Sequence, residues 1–359
     1  MNAGTYPGYR RHFNSLYGHL SSYSSRRAAY LYDCFGGAHF LQPVLEGEEW
    51  ASFTIGNDPI LQRMWASENG ARKGKSGHDI LLGQIESHET DVFYNLDPVS
   101  FDSSFVRKLP GCVKYKLCWR AAPARSADFG AYDRVMCNFP RILAKWEENG
   151  WKTCPFFPAH DPGLDAFASN KNRAIDVCFV GGFSRHHHRR TNTLDAVARL
   201  SDDLDIRYYF DTSIVTKLAE HRLGGFLPLR KIRRSKAIRS VCREPVFGRD
   251  YYEILGNTKI VLNGAIDMAG TERGNMRCFE AMGAGALLLS DSGSYPEGMV
   301  NTRTMLTYAS AEDAVCKITE ALSNWGQTSI ISARGHEMIK ERYSKGSQWR
   351  AFQSVIEAI

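Results

Sequence analysis

The sequence lacks the marks of a metalloprotein, a disulfide scaffold or a membrane-spanning chain. No Cys-x-x-Cys pair occurs, and the nine cysteines are odd in number. Several sit in apolar runs, as Cys178 does in Val177-Cys178-Phe179-Val180, the placing of buried free thiols in a reducing compartment. His-Glu-x-x-His is absent, and His186-His187-His188 cannot converge on one ion because adjacent residues point different ways on a helix. No metal site is expected. No apolar run approaches the ~20 residues that span a bilayer, and no basic start leads into an apolar stretch. The expected location is the cytoplasm. One-signed charge is also scarce: 45 basic residues against 39 acidic leave +6. With no aromatic pattern beside the basic residues, nucleic acid is not an expected partner. Repeats, low-complexity tracts and the Gly-x-Gly-x-x-Gly dinucleotide fingerprint are missing too.

What is present is a folded α/β chain. Its 359 residues, 43% hydrophobic and 23% charged, exceed one comfortable core and imply two domains. In the first half, strands are expected at 52–55, 92–95, 113–119 and 132–137, with helices at 59–68, 80–85 and 142–148. A doubly wound domain normally opens on an apolar strand. Here Met1 to Gly8 reads as the loop after one, so either that strand is missing or the sheet is ordered differently. Three prolines and small residues at 155–173 mark the boundary between lobes. Beyond it, uninterrupted aliphatic strands are expected at 175–180, 206–210, 259–262, 286–290 and 305–308, the pattern of a sheet covered on both faces. Helices are expected at 189–200, 251–255, 276–283, 311–322, 332–341 and 348–359. The domains are thus 1–165 and 174–345, with a final segment at 346–359.

Two stretches carry chemistry. Val180-Gly181-Gly182-Phe183-Ser184 joins a buried strand to a helix, and paired glycines there let backbone amides approach an anion. Ser184, His187 and Arg190 add a hydroxyl, an imidazole and a guanidinium. The second stretch runs from Gly270 to Gly285. Glu272 lies in its loop, and Asn275, Arg277 and Glu280 follow at or in its helix. A carboxylate can accept two hydrogen bonds from a ribose diol, while an arginine and helix amides can hold phosphates. Glu280, between Phe279 and Ala281, is a charge in apolar company and calls for a partner or a task.

This second stretch resembles the donor half of GT-B glycosyltransferases, whose two Rossmann-like lobes face each other across a cleft. The likeness is greatest to the bacterial CgeB-like, spore-maturation-type group, through Tyr251-Tyr252-Glu253-Ile254-Leu255, Lys259-Ile260-Val261-Leu262-Asn263 and Gly274 to Ala281. The spacing of Glu272 and Glu280 resembles the Glu-x7-Glu motif of many retaining enzymes. The resemblance implies that Glu280 binds ribose hydroxyls, that Glu272 lies by the donor sugar and diphosphate, and that Gly181-Gly182 open the donor lobe. Thr5-Tyr6-Pro7-Gly8-Tyr9, Gly36-Gly37, Asn57 and Trp65 resemble an acceptor lobe. The last helix is implied to cross back onto it.

The implied function is metal-independent transfer of a sugar from a nucleoside-diphosphate sugar to a glycan, lipid-linked or other acceptor, with no cofactor beyond the donor substrate. Retention is favoured by the glutamate spacing. An inverting route needs a first-lobe base, for which Asp97 and His39 are placed best. The basic run Arg230 to Arg243 could grip the diphosphate, meet an acidic membrane at its inner face, or be a solvated loop. The rival readings are a non-catalytic nucleotide- or glycan-binding scaffold and a sugar-nucleotide epimerase of similar architecture. A pyridoxal-phosphate phosphorylase is disfavoured because no lysine lies between Lys259 and Lys317.

Overall fold

The computed structural model describes residues 6–70, 74–183, 188–210, 214–220, 233–264 and 270–359. The chain divides into two compact units, Met1–Ala159 with Tyr343–Ile359, and His160–Arg342.

The first unit begins with helices. Pro7–Tyr17, Tyr23–Asp33, Pro59–Glu68 and Gly77–Ser87 all precede the first described strand. Their starts are chemically marked. Ser22 and Asp58 accept from the backbone N–H groups of Ser25 and Ile60, and Ser76 forms a capping box with Asp79. The sheet then follows: β1 (Val92–Asn95), β2 (Tyr115–Trp119), β3 (Arg134–Cys137) and β4 (Thr153–Pro155), parallel and in the order β1-β2-β3-β4. The strand expected at 52–55 is not formed. The Ile55 carbonyl instead accepts from the Asp58 N–H and from Gln62 Nε2, which ties the segment to the start of the Pro59–Glu68 helix.

A polar network lies inside the helical part. Tyr9 donates to Asp33 at 2.9 Å, and Tyr30 donates to Asp58 at 2.6 Å. Arg26, fully buried, pairs with Asp58 at 3.4 Å and donates to Asn14 at 2.6 Å. Phe13 and Tyr30 stack with centroids 3.7 Å apart.

The helix Lys345–Glu357 packs in this same unit. Phe352 joins Leu117, Met136 and Phe156 in one core, with Trp349, Val355 and Ile356 against it. Lys345 is buried and donates to the carbonyls of Gly37 and Phe40 at 2.6 and 2.7 Å.

The second unit is a six-stranded parallel sheet: β5 (Ile175–Gly181), β6 (Ile206–Phe210), β7 (Cys242–Arg243), β8 (Thr258–Leu262), β9 (Leu287–Asp291) and β10 (Leu306–Tyr308). The order is β10-β9-β8-β5-β6-β7. Read from β7, this is the 3-2-1-4-5-6 arrangement of a nucleotide-binding sheet, whose direction of winding reverses between β5 and β8. The aliphatic runs are buried. Val177, Phe179, Ile260, Leu262, Leu287 and Leu289 share one core with Leu194 and Val197 of the helix His188–Ala198 and Ile318 of the helix Ala311–Ser323. Each fully buried side chain of this kind contributes about 1.5–3 kcal/mol relative to exposure.

A candidate donor site on the second unit

The reversal between β5 and β8 leaves a crevice beyond their carboxyl ends, where open α/β sheets bind ligands. The local sequence lines it with cationic groups. β5 ends in Gly181, followed by Gly182. A Cβ at Gly181 would stand 2.9 Å from Arg277 Nη2, and one at Gly264 would stand 3.1 Å from the Arg190 stem. Glycine is thus what lets the two arginines lie against the backbone. Both guanidiniums sit over the Phe179 ring, at 5.3 Å for Arg277 and 5.9 Å for Arg190. Arg190 donates to the Gly182 carbonyl at 3.0 Å. Arg277 makes a long bond to Asn263 Oδ1 at 3.5 Å, and its buried Nε has no hydrogen-bond partner among the described residues.

Glu280 is on the helix Met276–Gly283. Its carboxylate accepts from Tyr251 at 2.8 Å and from Tyr252 at 3.4 Å, both on the helix Gly248–Gly256. Burial raises its pKa above the ordinary glutamate value, while the Tyr251 hydrogen bond and the Arg277 charge pull the other way. The partner that a carboxylate needs among apolar neighbours is therefore a pair of phenols and a nearby guanidinium.

Glu272 lies in the loop before that helix, in a bridge with Ser294. Arg273 secures the loop, donating to the carbonyls of Gly270 and Glu272 and pairing with Asp291 at 2.7 Å. Asn275 faces another way. Its amide exchanges hydrogen bonds with Asn263 at 3.0 and 3.1 Å, so its side chain braces the crevice wall. Ser184 and His187 lie outside the described residues.

The sequence reading named Asn263 within the resemblance but gave it no role, and it gave none to Phe179. Asn263 is buried and links Asn275, Cys278 and Ser290. The available signal was an asparagine closing the apolar run Ile260-Val261-Leu262. Phe179 carried no signal, because a buried strand phenylalanine looks the same whether or not arginines cover it.

The two first-unit candidates, Asp97 and His39, both lie in the interior. Asp97 is buried, accepts from Asn57 Nδ2 at 2.8 Å and caps the turn at Ser100. His39 is buried with its ring 4.0 Å from that of Trp119, and neither ring nitrogen has a hydrogen-bond partner among the described residues. Burial, and then the charge of Lys345, lower its pKa to about 3. Such a ring is neutral and weakly basic near pH 7.

The basic run is not one free patch. Arg230 and Lys231 lie outside the described residues. Arg234 is buried, holding Glu220 through Nε at 2.6 Å and Nη2 at 2.7 Å. Lys236 and Arg243 are exposed. No helix among the described residues is long and apolar enough to cross a membrane.

Residues 214–354 match a family model described as glycosyl transferase-like. The solved structure of TarM aligns at a TM-score of 0.51 and 12% identity, over 80% of this chain and 59% of TarM. A variant of S. aureus TarM with fondaparinux, alpha-GlcNAc-glycerol and UDP aligns at 0.52 and 11%, over 80% and 60%. Anabaena HepE in complex with UDP-glucose aligns at 0.48 and 11%, over 79% and 76%. No curated protein matches the sequence. The chain has the two-sheet α/β fold of GT-B glycosyltransferases, and within it residues 214–354 are similar to the glycosyl transferase-like model.

Proposed function

We propose that this protein is a glycosyltransferase that takes a sugar from a nucleoside-diphosphate donor held on the second unit. The observation that carries the proposal is the meeting of Arg190 and Arg277 over Phe179, beside glycines, at the reversal of a nucleotide-binding sheet order. Two guanidiniums supply the positive charge that a diphosphate requires and can neutralise it as it departs. The Glu280 carboxylate offers two acceptor oxygens to a ribose diol, with Tyr251 and Tyr252 fixing its rotamer. Glu272, on the loop secured by Arg273, is assigned to the developing oxocarbenium sugar. The leaving group is stabilised by these cations, so the transfer proceeds without a divalent metal.

The spacing of Glu272 and Glu280 favours retention of anomeric configuration. An inverting outcome would assign the general base to Asp97, because His39 is too weak a base. The test is calorimetric titration with UDP, GDP and dTDP, followed by turnover of the matching nucleotide sugars in excess chelator. Binding of at least one nucleotide and metal-free turnover are expected, and binding of none of the three would overturn the proposal. Proton NMR of the first-formed product reads the stereochemistry.

A further inference from the structure

Alone among the seven tryptophans, Trp50 is in the exposed class, with 67% of its surface open. It is not on a loose tail. Gly47, at φ +75°, ends the helix Gln42–Glu46, and the N–H groups of Gly47 and Glu48 both return to the Pro43 carbonyl. The Ala51 N–H then bonds the Glu48 carbonyl at 3.0 Å. The Trp50 ring lies 5.9 Å from that of Trp349, tilted by 37°. Trp349 in turn stacks on Phe352, 5.7 Å away, which is buried in the core of the first unit. A ladder of three aromatic rings thus runs from the core to the surface.

An indole held open to water on an aromatic neighbour exposes a large, rigid apolar face with one polar N–H, the kind of group enriched at interfaces. The surrounding charge selects the ligand. Glu46, Glu48 and Glu49, all exposed, lie within four positions of Trp50 in the sequence, and the exposed Arg350 follows Trp349. That balance repels anionic lipid and nucleic acid. It suits a neutral polyol, whose pyranose ring lays its C–H face on an indole while its hydroxyls donate to carboxylates.

We propose that Trp50 and Trp349 form a stacking platform for a neutral glycan chain, with the adjacent glutamates as hydroxyl acceptors. The proposal rests on the glycosyl-transfer reading and narrows its acceptor class to glycans. The full chain is titrated with cellohexaose, chitohexaose, maltohexaose and mannohexaose, followed by tryptophan fluorescence and calorimetry. The same preparations are titrated with UDP, GDP and dTDP and sedimented with phosphatidylglycerol vesicles.

At least one hexasaccharide is expected to bind. Trp50→Ala should weaken it by ~10-fold or more, the scale of an interfacial tryptophan, and Trp50→Phe should retain part of the affinity. Nucleotide affinity should stay unchanged, because an exposed side chain can be truncated without unfolding the chain. Nucleotide binding with no hexasaccharide binding would overturn the platform and leave the transferase reading standing. Hexasaccharide binding without any nucleotide binding would do the reverse. Equal glycan affinity in Trp50→Ala, or vesicle binding lost in that variant, would also overturn the platform.

Discussion

The two units are built on different physics. The second buries aliphatic strands between helices, and one cluster of its polar side chains, around Gly181, Asn263 and Glu280, lies where the winding of the sheet reverses, while pairs such as Arg234 with Glu220 are buried elsewhere. The first has four short strands, and much of its specificity lies in buried polar pairs: Tyr9 with Asp33, and Tyr30 and Arg26 with Asp58. In the second unit, that cluster borders the proposed donor site. In the first, polar burial fixes how helices meet. The same kind of substitution should therefore register as lost stability in one unit and as lost affinity in the other.

The largest expected effect tests the stability half of that contrast. Asp58→Ala strands the Arg26 guanidinium and the Tyr30 hydroxyl in the interior and removes the cap of the Pro59–Glu68 helix. Breaking one side of a buried pair costs about 3–5 kcal/mol. An unfolding free energy lowered by that amount is expected from denaturant titration. A change under ~1 kcal/mol, the range of an exposed pair, would show that the network is incidental.

His39 gives the next effect, and it depends on pH. Its pKa falls to about 3 in the folded state against 6.5 when unfolded. Above 6.5 both states are neutral, and the group contributes no slope. Below 6.5 the unfolded chain takes up a proton that the folded chain refuses, so stability falls with acid, at about 1.4 kcal/mol per pH unit, down toward pH 3. His39→Phe keeps a ring beside Trp119 and removes the titration. Its stability should fall less steeply from pH 6.5 to 4 than that of the unaltered protein. Parallel curves would show that His39 is not protected from protonation.

The same contrast explains what could be read from the sequence. The strands of the second unit stand out because aliphatic runs such as Ile260-Val261-Leu262 must be buried and glycine turns interrupt them. Glu280 stood out because a carboxylate among apolar neighbours is costly to bury. The first unit was less legible. The segment 52–55 has a strand-like composition, yet the Ile55 carbonyl serves the start of the next helix. β4 holds three residues and ends in a proline, too short for a period-2 pattern. Arg234 resembled its solvated neighbours because its partner, Glu220, is 14 positions earlier. Arg26 with Asp58, and Asn263 with Asn275, are likewise pairings created by the fold and not by local spacing.

In the second unit the expected loss is of affinity. Glu280→Gln preserves shape and removes the charge that would accept the ribose hydroxyls. Nucleoside-diphosphate binding should weaken by roughly 1–3 kcal/mol, the range for a charged hydrogen bond, with the unfolding midpoint little changed. Unaltered affinity in a folded variant would remove the ribose assignment. The pH dependence follows from the raised pKa of this carboxylate. The ionised form is the acceptor, so affinity should decline as pH falls through a value above the ordinary glutamate range. Glu280→Gln should lack that decline.

The smallest effect separates the carboxylate from what positions it. Tyr251 donates to Glu280 Oε2 at 2.8 Å, and burial together with the Glu280 charge keeps its own pKa well above that of a free phenol. The hydroxyl is therefore a fixed donor throughout the working pH range. Tyr251→Phe keeps the ring and removes that donor. The bond runs to a carboxylate but touches the nucleotide only through the orientation of Glu280, so nucleotide affinity should fall by less than in Glu280→Gln, by about 1 kcal/mol. The carboxylate also loses a bond that had lowered its pKa, so the acid decline in affinity should begin at a higher pH than in the unaltered protein. A purely structural tyrosine would change the unfolding midpoint and leave that pH profile in place. Calorimetric titrations from pH 7.5 to pH 5 on both proteins, paired with thermal unfolding, distinguish the two roles. An unshifted profile would confine Tyr251 to packing and leave Tyr252 as the hydroxyl that orients Glu280.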